Sequence, residues 1–392
     1  MPGKRVLILV ENLSVPLDRR VWQESLALRG AGYEVVVICP RGDTHDTEPY
    51  AELEGIEIHR YPLRTAVRGV DYVREYGTAI WRSLRLARRL GNFDVVQACN
   101  PPDLFFLVAK RLKRRGARFV FDQHDLVPEL YLSRFGRGKD VAYRGLVALE
   151  RRTYRLADVV IATNESYKRT AVERGGKRPE QVFVVRSAPS LDRFRPTDPD
   201  PSLKRGRPHL LCYLGVMGPQ DGVDYALRAL ARLRERRDDW HAVFIGAGDE
   251  FEPMVALAAE LGLDDLVTFT GRLPDDEVRR YLSTADVCLA PDPLNPLNDV
   301  STMNKIVEYM AMSRPIVSFD LAEARVSAAE AAVYATPNDE AAFADLIARL
   351  LDDPAERERR GRLGRERVES SLSWDHSERE LLAAYEAALR GP

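Results

Sequence analysis

Short apolar runs, each followed by a segment of helical length, recur along most of this sequence. The first run, RVLILVE from Arg5, precedes a helical segment that starts near Asp18 and stops at Gly30 and Gly32, after which EVVVICP forms a second run. Strand, helix and strand in this order form a βαβ unit, which places both strands parallel in one sheet. About seven such strand candidates precede residue 187 and six follow residue 208. The pattern predicts two α/β domains with doubly wound parallel sheets.

The stretch SAPSLDRFRPTDPDPSLKRGRP, residues 187–208, separates the two series of strands. Its prolines and mixed charges are typical of a linker, so we expect the domain boundary near residue 190. A chain of 392 residues is long enough to bury two cores of ordinary size. No GxGxxG follows the first strand, which argues against a dinucleotide-dependent oxidoreductase.

Composition and the start of the chain indicate the cellular compartment in which the protein works. The four cysteines are far apart and form no CxxC pair, which favours buried, reduced thiols over a metal site or disulfides. No run approaches the ~18 apolar residues that a membrane-spanning helix requires. The start of the chain, MPGKRVLILVE, has no signal-peptide layout, so we expect a cytoplasmic protein, with peripheral contact at the inner face of the membrane as an option.

The formal net charge of −2 hides a basic excess in the first half of the chain and an acidic excess in the second. A basic half suits an anionic partner such as a lipid-phosphate acceptor, a membrane surface or nucleic acid, although scattered solvated charge is an equal alternative. Nucleic acid is the least favoured of these partners because no recognised binding module is present.

Ala79–Leu90, AIWRSLRLARRL, interleaves Trp81 with several arginines. A basic helix that carries an aromatic residue can lie in a membrane interface. The alternative is a helix that covers the sheet and turns its polar face to solvent.

DVSTMNKIVEYMAMSRPIVSFD, residues 299–320, combines a polar start, an amphipathic helix, a stop at Pro315 and a buried strand. We predict Thr302 or Ser301 as the N-cap, which leaves outward-facing amides that can hold a phosphate without a metal. Lys305 and Glu308 follow at a spacing of three, on one face of the helix. The alternative is an ordinary amphipathic helix with an ion pair between these two residues.

K-x-x-E-Y-M-A followed by P-I-V resembles the donor-site helix of retaining, nucleotide-sugar-dependent glycosyltransferases of the GT-B fold, family 4. This resemblance implies two Rossmann-like domains that face an interdomain cleft, residues 1–190 for the acceptor and 191–373 for the donor. Segment 374–392 is implied to return to the first domain. In the family the helix amides and a basic residue bind the pyrophosphate, and no metal or other cofactor is required. The implied donor is a nucleotide diphosphate sugar, with UDP-sugars favoured.

The resemblance implies the following donor-binding residues in the second domain: Gly215, Gly218, Arg272, Leu273, Asp299, Ser301, Thr302, Met303, Lys305 and Glu308. The carboxylate of Glu308 is implied to hold the ribose hydroxyls, and Arg272 and Leu273 to contact the base. The family often has a second Glu at the position of Val300, so Asp299 or Thr302 is the candidate that contacts the sugar instead.

The glycine-containing turn LGVMGPQDG follows a strand and precedes a helix, so its backbone can approach a phosphate. The family commonly carries two cations here, at the positions of Val216 and Asp221 in this chain. Their absence is the largest departure from the family pattern. We expect Lys305 to replace them, with Arg272 as the second candidate.

FDQHD places His124 where a strand ends, at the edge of a parallel sheet where ligands bind. In family 4 a His at this strand end faces the transferred sugar, so the resemblance implies a catalytic His124, with Asp125 orienting its imidazole. On the acceptor side we expect Asn100, Asp103, Arg19 and Arg20, with a solvated helix start as an equal alternative for the two arginines.

The sequence therefore predicts a metal-independent retaining glycosyltransferase. Its acceptor is a saccharide, a lipid-linked saccharide as in envelope or exopolysaccharide synthesis, or a small metabolite. Two alternatives stay open: a non-catalytic nucleotide-sugar-binding or scaffold protein, and a GT-B nucleotide-sugar epimerase.

Overall fold

The computed structural model describes residues 3–42, 45–64, 69–136 and 138–391. The chain forms two compact units, Met1–Ser187 with Ser377–Pro392, and Ala188–His376. Each unit contains one parallel sheet between helices, which confirms the predicted fold class.

The first unit has an eight-stranded sheet in the order β3-β4-β2-β1-β5-β6-β7-β8. Its strands are β1 (Arg5–Leu9), β2 (Glu34–Pro40), β3 (Tyr50–Leu53), β4 (Ile56–Tyr61), β5 (Val95–Cys99), β6 (Arg118–Gln123), β7 (Val159–Ala162) and β8 (Val182–Val184). Its helices are α1 (Arg19–Gly30), α2 (Gly69–Leu90), α3 (Phe106–Lys113), α4 (Val127–Phe135), α5 (Val141–Leu156) and α6 (Glu165–Glu173). All neighbouring strands are parallel except β3 and β4.

The second unit has a six-stranded parallel sheet in the order β11-β10-β9-β12-β13-β14. Its strands are β9 (His209–Leu214), β10 (Trp240–Ile245), β11 (Val267–Gly271), β12 (Val287–Ala290), β13 (Ile316–Phe319) and β14 (Ala332–Ala335). Its helices are α7 (Val223–Arg234), α8 (Phe251–Glu260), α9 (Asp275–Thr284), α10 (Asn304–Ala311), α11 (Ala322–Ala328), α12 (Glu340–Asp352) and α13 (Pro354–Arg367). The last helix, α14 (Trp374–Arg390), belongs to the first unit from Ser377 onward.

The central strands are buried on both faces, as their continuous apolar sequences require. The strand missed by the sequence pattern is β3, because YAEL is an exposed antiparallel edge strand without an apolar run. Among the described residues, no helix combines the length and hydropathy needed to cross a membrane.

Each sheet has a switch point, where the chain moves from one side of its first strand to the other. In the first unit this point lies between β1 and β5, and in the second between β9 and β12. Ligands of open α/β sheets bind outside the carboxyl ends of the strands at such points. A ligand is therefore expected at these two places.

Candidate functional site

In the first unit, the side chain of Asn100 joins the ends of β5 and β6. Its Oδ1 accepts hydrogen bonds from the backbone N–H groups of His124 (2.7 Å) and Asp125 (3.2 Å), and its Nδ2 donates to Asp125 O (2.8 Å) and Asp103 Oδ1 (2.9 Å). Asn100 and Asp103 are buried at 1% and 4% exposure. Asn100 therefore holds the backbone of His124 in place, and Asp103 in turn holds the amide of Asn100; the acceptor-side role of both residues stays a prediction.

The imidazole of His124 pairs with Asp122, two residues earlier on β6. Its Nε2 lies 2.7 Å from Asp122 Oδ2. Burial lowers the pKa of His124, but the charge and hydrogen bond of Asp122 outweigh it, and the pKa is raised. The carboxylate that orients the ring is that of Asp122, not of Asp125, because alternate residues of a strand share one side and the next residue does not. Burial raises the pKa of Asp125, and the nearby His124 opposes this.

Arg20 lies beneath this pair. The N-cap side chain of Asp18 starts α1 by accepting from Val21 N–H, and the helix then directs Arg20 inward at 8% exposure. The guanidinium contacts Asp122 Oδ1 (2.8 Å) and Glu24 Oε1 (3.1 Å). Arg20 thus has structural partners within the first unit and Arg19 is exposed, while the substrate contact of both arginines stays a prediction.

Arg20 also donates to Val185 O (2.8 Å) and to Ser187 Oγ (3.2 Å), at the end of the first unit. Burial lowers its pKa, but Asp122 and Glu24 more than offset this, so Arg20 remains charged. Burial raises the pKa of Asp122 and the cations Arg20 and His124 lower it, with a net lowering. The centre of this cluster is thus a firmly ionised Asp122 between two bases.

Gln97 extends the cluster toward α14. Its Nε2 donates to Glu24 Oε2 (2.6 Å) and Asp122 Oδ2 (3.0 Å), and its Oε1 accepts from the hydroxyl of Tyr385 (2.5 Å). Burial and the nearby Asp122 raise the pKa of Glu24 to about 8, against the influence of Arg20. The negative charge of the cluster is therefore more strongly stabilised on Asp122, whose pKa is lowered, than on Glu24, whose pKa is raised.

Cys99, Asp122 and His124 present possible ligand atoms within 4.8 Å of one another. Burial and the charge of Asp122 raise the pKa of the Cys99 thiol well above its ordinary value, so the thiolate that a metal requires is disfavoured. Asp122 already neutralises Arg20. These three side chains therefore fit a protonated thiol beside the Asp122–Arg20 ion pair better than they fit a metal site.

In the second unit, Tyr309 fixes α10 to the switch point. Its hydroxyl accepts from Leu214 N–H at the end of β9 (2.7 Å) and donates to Leu289 O in β12 (3.1 Å). One aromatic residue of the E-Y-M-A motif thereby holds the helix against both strands. The loop after β9 and the start of α10 are consequently brought together.

Lys305, on the first turn of α10, points into this junction at 7% exposure. Its Nζ lies 2.6 Å from Asp292 Oδ1 and 5.0 Å from the centre of the Tyr213 ring. A Cβ atom placed on Gly215 would lie 3.2 Å from the Cε of Lys305. Burial lowers the pKa of Lys305, but Asp292, Tyr213 and Asp221 raise it above its ordinary value. The predicted neighbours Gly215 and Lys305 thus lie together, with the ammonium group already paired with Asp292.

The N-cap prediction for α10 is wrong. The helix begins at Asn304 with Met303 in the cap position and no side-chain cap, while the hydroxyl of Ser301 donates back to Leu297 O (2.8 Å). A 3₁₀ turn at Asn298–Val300 pulls this segment away from the capping geometry. Thr302 lies before the cap, half-buried. The helix amides at Met303 and beyond are still without a side-chain cap.

Asp299 contacts the start of α11, and its sugar contact stays a prediction. Its Oδ1 accepts from Ala322 N–H (2.9 Å), the first residue of α11. Glu308 is half-buried on α10, one turn after Lys305. Arg272 is exposed and Leu273 half-buried directly after β11, where Gly271 O accepts from Gly246 N–H (2.9 Å).

The residues that sequence reasoning missed are the partners of the ones it found. Asp122 contacts His124 and is itself bonded by Gln97, which also bonds Glu24, while Asp292 and Tyr213 lie against Lys305. A signal existed for two of them: Asp122 interrupts an apolar strand, and Asp292 directly follows another in LAPDP. A buried acid requires a cationic or hydrogen-bonding partner, so each of these acids indicated a base nearby.

Each sheet thus has a charged cluster at its switch point, one around an imidazole and one beside a helix start and a glycine loop, which is where ligands of α/β folds bind. Comparison with known proteins gives the class directly. The family model described as Glycosyl transferases group 1 matches residues 208–353, and that of the Glycosyl transferase 4-like domain matches residues 17–188.

The chain is 26% identical to the glycogen synthase of Mycobacterium tuberculosis, over 96% of this chain and 92% of the relative. It is 28% identical to the MMP alpha-(1->4)-mannosyltransferase of Mycolicibacterium hassiacum, over 78% and 74%. Its fold matches the sucrose-phosphate synthase of Thermosynechococcus elongatus with a TM-score of 0.82 at 19% identity, covering 98% of each chain. Anabaena HepE in complex with UDP-glucose matches with a TM-score of 0.74 at 15% identity, over 98% of this chain and 99% of that one.

These matches are all to glycosyl-transferring enzymes or share their fold, so the class is that of the GT-B glycosyltransferases. The chain belongs to family 4, the glycosyl transferases group 1. The family resemblance seen in the sequence is confirmed.

Proposed function

We propose that this glycosyltransferase moves a sugar from a nucleotide diphosphate sugar, with UDP-sugars first among the donors, to an acceptor with retention of anomeric configuration and without a bound metal. The acceptor is a lipid-linked saccharide or a small metabolite. The observation that carries the donor assignment is α10 tied by Tyr309 to β9 and β12, which holds the tip of the helix beside the glycine loop.

On the donor side, the uncapped amides at the start of α10 and the loop amides are the groups proposed to hold the diphosphate. Glu308 is proposed to accept from the ribose hydroxyls, a contact worth roughly 1.5–3 kcal/mol when one partner is charged. Glu308→Gln keeps the shape and removes the charge. Titration of UDP-glucose should show a 10- to 150-fold weaker Kd, about the same 1.5–3 kcal/mol. Unchanged affinity would remove Glu308 from the donor site.

On the acceptor side, His124 is proposed to contact the transferred sugar. Because Nε2 faces Asp122 at 2.7 Å, Nδ1 is the ring nitrogen available to a substrate. The raised pKa of His124, caused by Asp122 against the effect of burial, favours the imidazolium, which donates from Nδ1. An imidazolium can stabilise negative charge that develops on the leaving diphosphate or donate to a sugar hydroxyl.

A donor screen by thermal shift tests the first part of this proposal. UDP-glucose, GDP-mannose, TDP-glucose and ADP-glucose are compared at equal concentrations, each with and without EDTA. A ligand at 100 times its Kd stabilises the folded state by about 2.7 kcal/mol, so a selective shift is readily measured. We expect the largest shift with UDP-glucose and no effect of EDTA. A shift that EDTA abolishes would overturn the metal-independent mechanism.

Analysis of the reaction products tests the remaining parts of the proposal, which are catalytic transfer and retention of configuration. Non-catalytic nucleotide-sugar binding is a second candidate because Val216 and Asp221 leave the glycine loop without its usual cations. Tight donor binding without turnover against a panel of acceptors would favour that candidate. Conversion of the donor alone would indicate an epimerase. A product with inverted configuration in the NMR spectrum would refute retention.

Membrane contact through α2 is the remaining part of the proposal. Trp81 is 56% exposed, and the guanidinium of Arg85 lies 5.6 Å from its ring centre. Each basic side chain near an anionic surface contributes about 1 kcal/mol of binding. We expect co-sedimentation with vesicles containing anionic lipid and none with purely zwitterionic vesicles. Trp81→Ala should weaken binding more than Arg144→Ala on α5, and equal effects would place the contact elsewhere.

A further inference from the structure

The loop between β9 and α7 uses one of its own acids to occupy a backbone amide. Gly218 N–H donates to Asp221 Oδ2 at 2.9 Å, and Asp221 N–H donates to Gly218 O at 3.1 Å. In glycine loops that precede helices, amides of this kind are the groups that bind phosphate oxygens. In this chain a carboxylate already fills that position.

The surroundings of Asp221 have limited capacity to balance its charge. Lys305 on α10 is the cation that acts on it, and this ammonium group is already paired with Asp292 at 2.6 Å. Asp292 is 2% exposed, and its Oδ2 has no hydrogen-bond partner. The charges of Asp221 and Asp292 are thus both balanced by the ammonium group of Lys305, which lies over the ring of Tyr213 on β9.

The loop after β10 also packs here, where Glu250 N–H donates to Met217 O at 2.9 Å, and it contributes the acids Asp249 and Glu250 instead of a base. Gly246 and Gly248 are required for this packing, since a Cβ on either would lie within 2.4 Å of a carbonyl oxygen of the glycine loop. The loop backbone is therefore closely confined. An incoming phosphate must displace the Asp221 carboxylate before it can accept from the Gly218 N–H.

We propose that Asp221 sets the affinity of this enzyme for its nucleotide sugar, because its carboxylate occupies the loop amide until a diphosphate displaces it or a proton neutralises it. This inference rests on the proposed donor site in the second unit and adds a specificity-determining residue to it.

The proposal predicts the sign of a pH effect. Burial raises the pKa of Asp221 to about 6, with Lys305 opposing and Asp292 adding to the rise. A bound diphosphate brings more negative charge and raises this pKa further, so binding takes up a proton. Donor affinity is then highest below about pH 6 and falls as the pH rises above it. Below that pH Asp221 is neutral and affinity levels off.

The test measures the Kd of UDP-glucose by calorimetry at pH 5.5 and pH 8 for the wild type and for Asp221→Asn. UDP-glucose suits this purpose because neither phosphate of its diphosphate diester titrates in this range. We expect the wild type to bind roughly 10- to 100-fold more weakly at pH 8, because the uptake of one proton changes the Kd tenfold per pH unit above about pH 6. Asp221→Asn should bind equally well at both pH values and at least as tightly as the wild type at pH 5.5.

Two further variants serve as controls. Asp224→Asn removes a half-buried acid three residues away, which pairs with Arg228 at 2.7 Å, and it should keep the pH dependence of the wild type. Asp221→Glu keeps the charge and should also keep the dependence, which separates charge from loss of folding. If the wild type and Asp221→Asn show the same pH response, Asp221 does not set the affinity and the donor site stands. If neither protein binds UDP-glucose at either pH, the uridine donor fails and this inference fails with it.

Discussion

Both units bury a basic side chain beside two acids at the carboxyl edge of a parallel sheet, but they use different cations for it. In the first unit Arg20 contacts Asp122 and Glu24. In the second unit Lys305 pairs with Asp292 and acts electrostatically on Asp221. An arginine has five donors in a fixed plane, whereas a lysine is a compact point charge.

This difference determines what each cluster can do. Arg20 bonds side chains on α1 and β6 and the backbone at Val185, so it fixes several elements around His124 at once. Lys305 makes one short ion pair and leaves Asp221 only partly compensated. The first cluster is a rigid support for an imidazole, and the second contains an acid whose charge can change with pH or ligand.

The largest expected effect comes from removing the guanidinium group of Arg20. Arg20→Met leaves the ionised Asp122 without its main partner, and breaking a buried ion pair in this way costs about 3–5 kcal/mol. Hydrogen exchange in increasing urea, monitored on peptides of β5 and β6, should show this loss in the first unit. Arg144→Met, an exposed arginine on α5, should change stability by less than about 0.5 kcal/mol. Equal losses for both variants would mean that Arg20 does not organise the cluster.

Lys305→Met makes the matching change in the second unit and should cost somewhat less, at most about 3 kcal/mol at pH 8, because the acids left behind can take up protons. Without Lys305 the pKa of Asp221 rises above its value of about 6, and the cost of burying its charge disappears as the pH falls below the new pKa. The loss measured on peptides of β9 and β12 should therefore be smaller at pH 5 than at pH 8. A pH-independent loss would show that Asp221 is not coupled to Lys305.

The sequence predicted the elements better than the side-chain partners. Apolar runs located both sheets because burial on two faces leaves a clear pattern, and the exposed β3 was missed for lack of one. The strand end at His124 and the helix at Lys305 were predicted because each is marked by a short motif of neighbouring residues. Their partners Asp122 and Asp292 lie at positions that only the folded geometry joins. The same reason applies to Arg20: the local sequence does not distinguish it from Arg19, but the helix periodicity turns Arg20 inward onto Asp122 and Glu24.

Asp122→Asn tests the electrostatic part of the first cluster. Asp122 is the group that raises the pKa of His124 against burial, so the variant should lower that pKa. NMR titration of labelled histidines measures this, with His124→Ala identifying the signal.

The same pair contributes to stability in a defined pH range. Because the folded pKa of His124 is raised above its ordinary value of 6.5, the contribution is complete below about pH 6.5 and is lost as the pH rises through the folded pKa. The stability gap between wild type and Asp122→Asn should narrow from pH 6 to pH 9. A gap that widens over this range would contradict an imidazolium held by Asp122.

The smallest effect is expected at the outer end of the first cluster, where Tyr385 of α14 donates to Gln97 Oε1 at 2.5 Å. Tyr385→Phe leaves the buried Oε1 of Gln97 without this donor and should cost about 1–3 kcal/mol in the first unit. The matched variant in the second unit is Tyr309→Phe, which leaves the buried N–H of Leu214 and the carbonyl of Leu289 without a partner. Two groups lose their partner instead of one, so Tyr309→Phe should be the more damaging of these two changes and should also weaken UDP-glucose binding. If Tyr385→Phe destabilised the first unit as much as Tyr309→Phe destabilises the second, α10 would be held no more tightly than α14. The assignment of Tyr309 as the anchor of α10 would then fail.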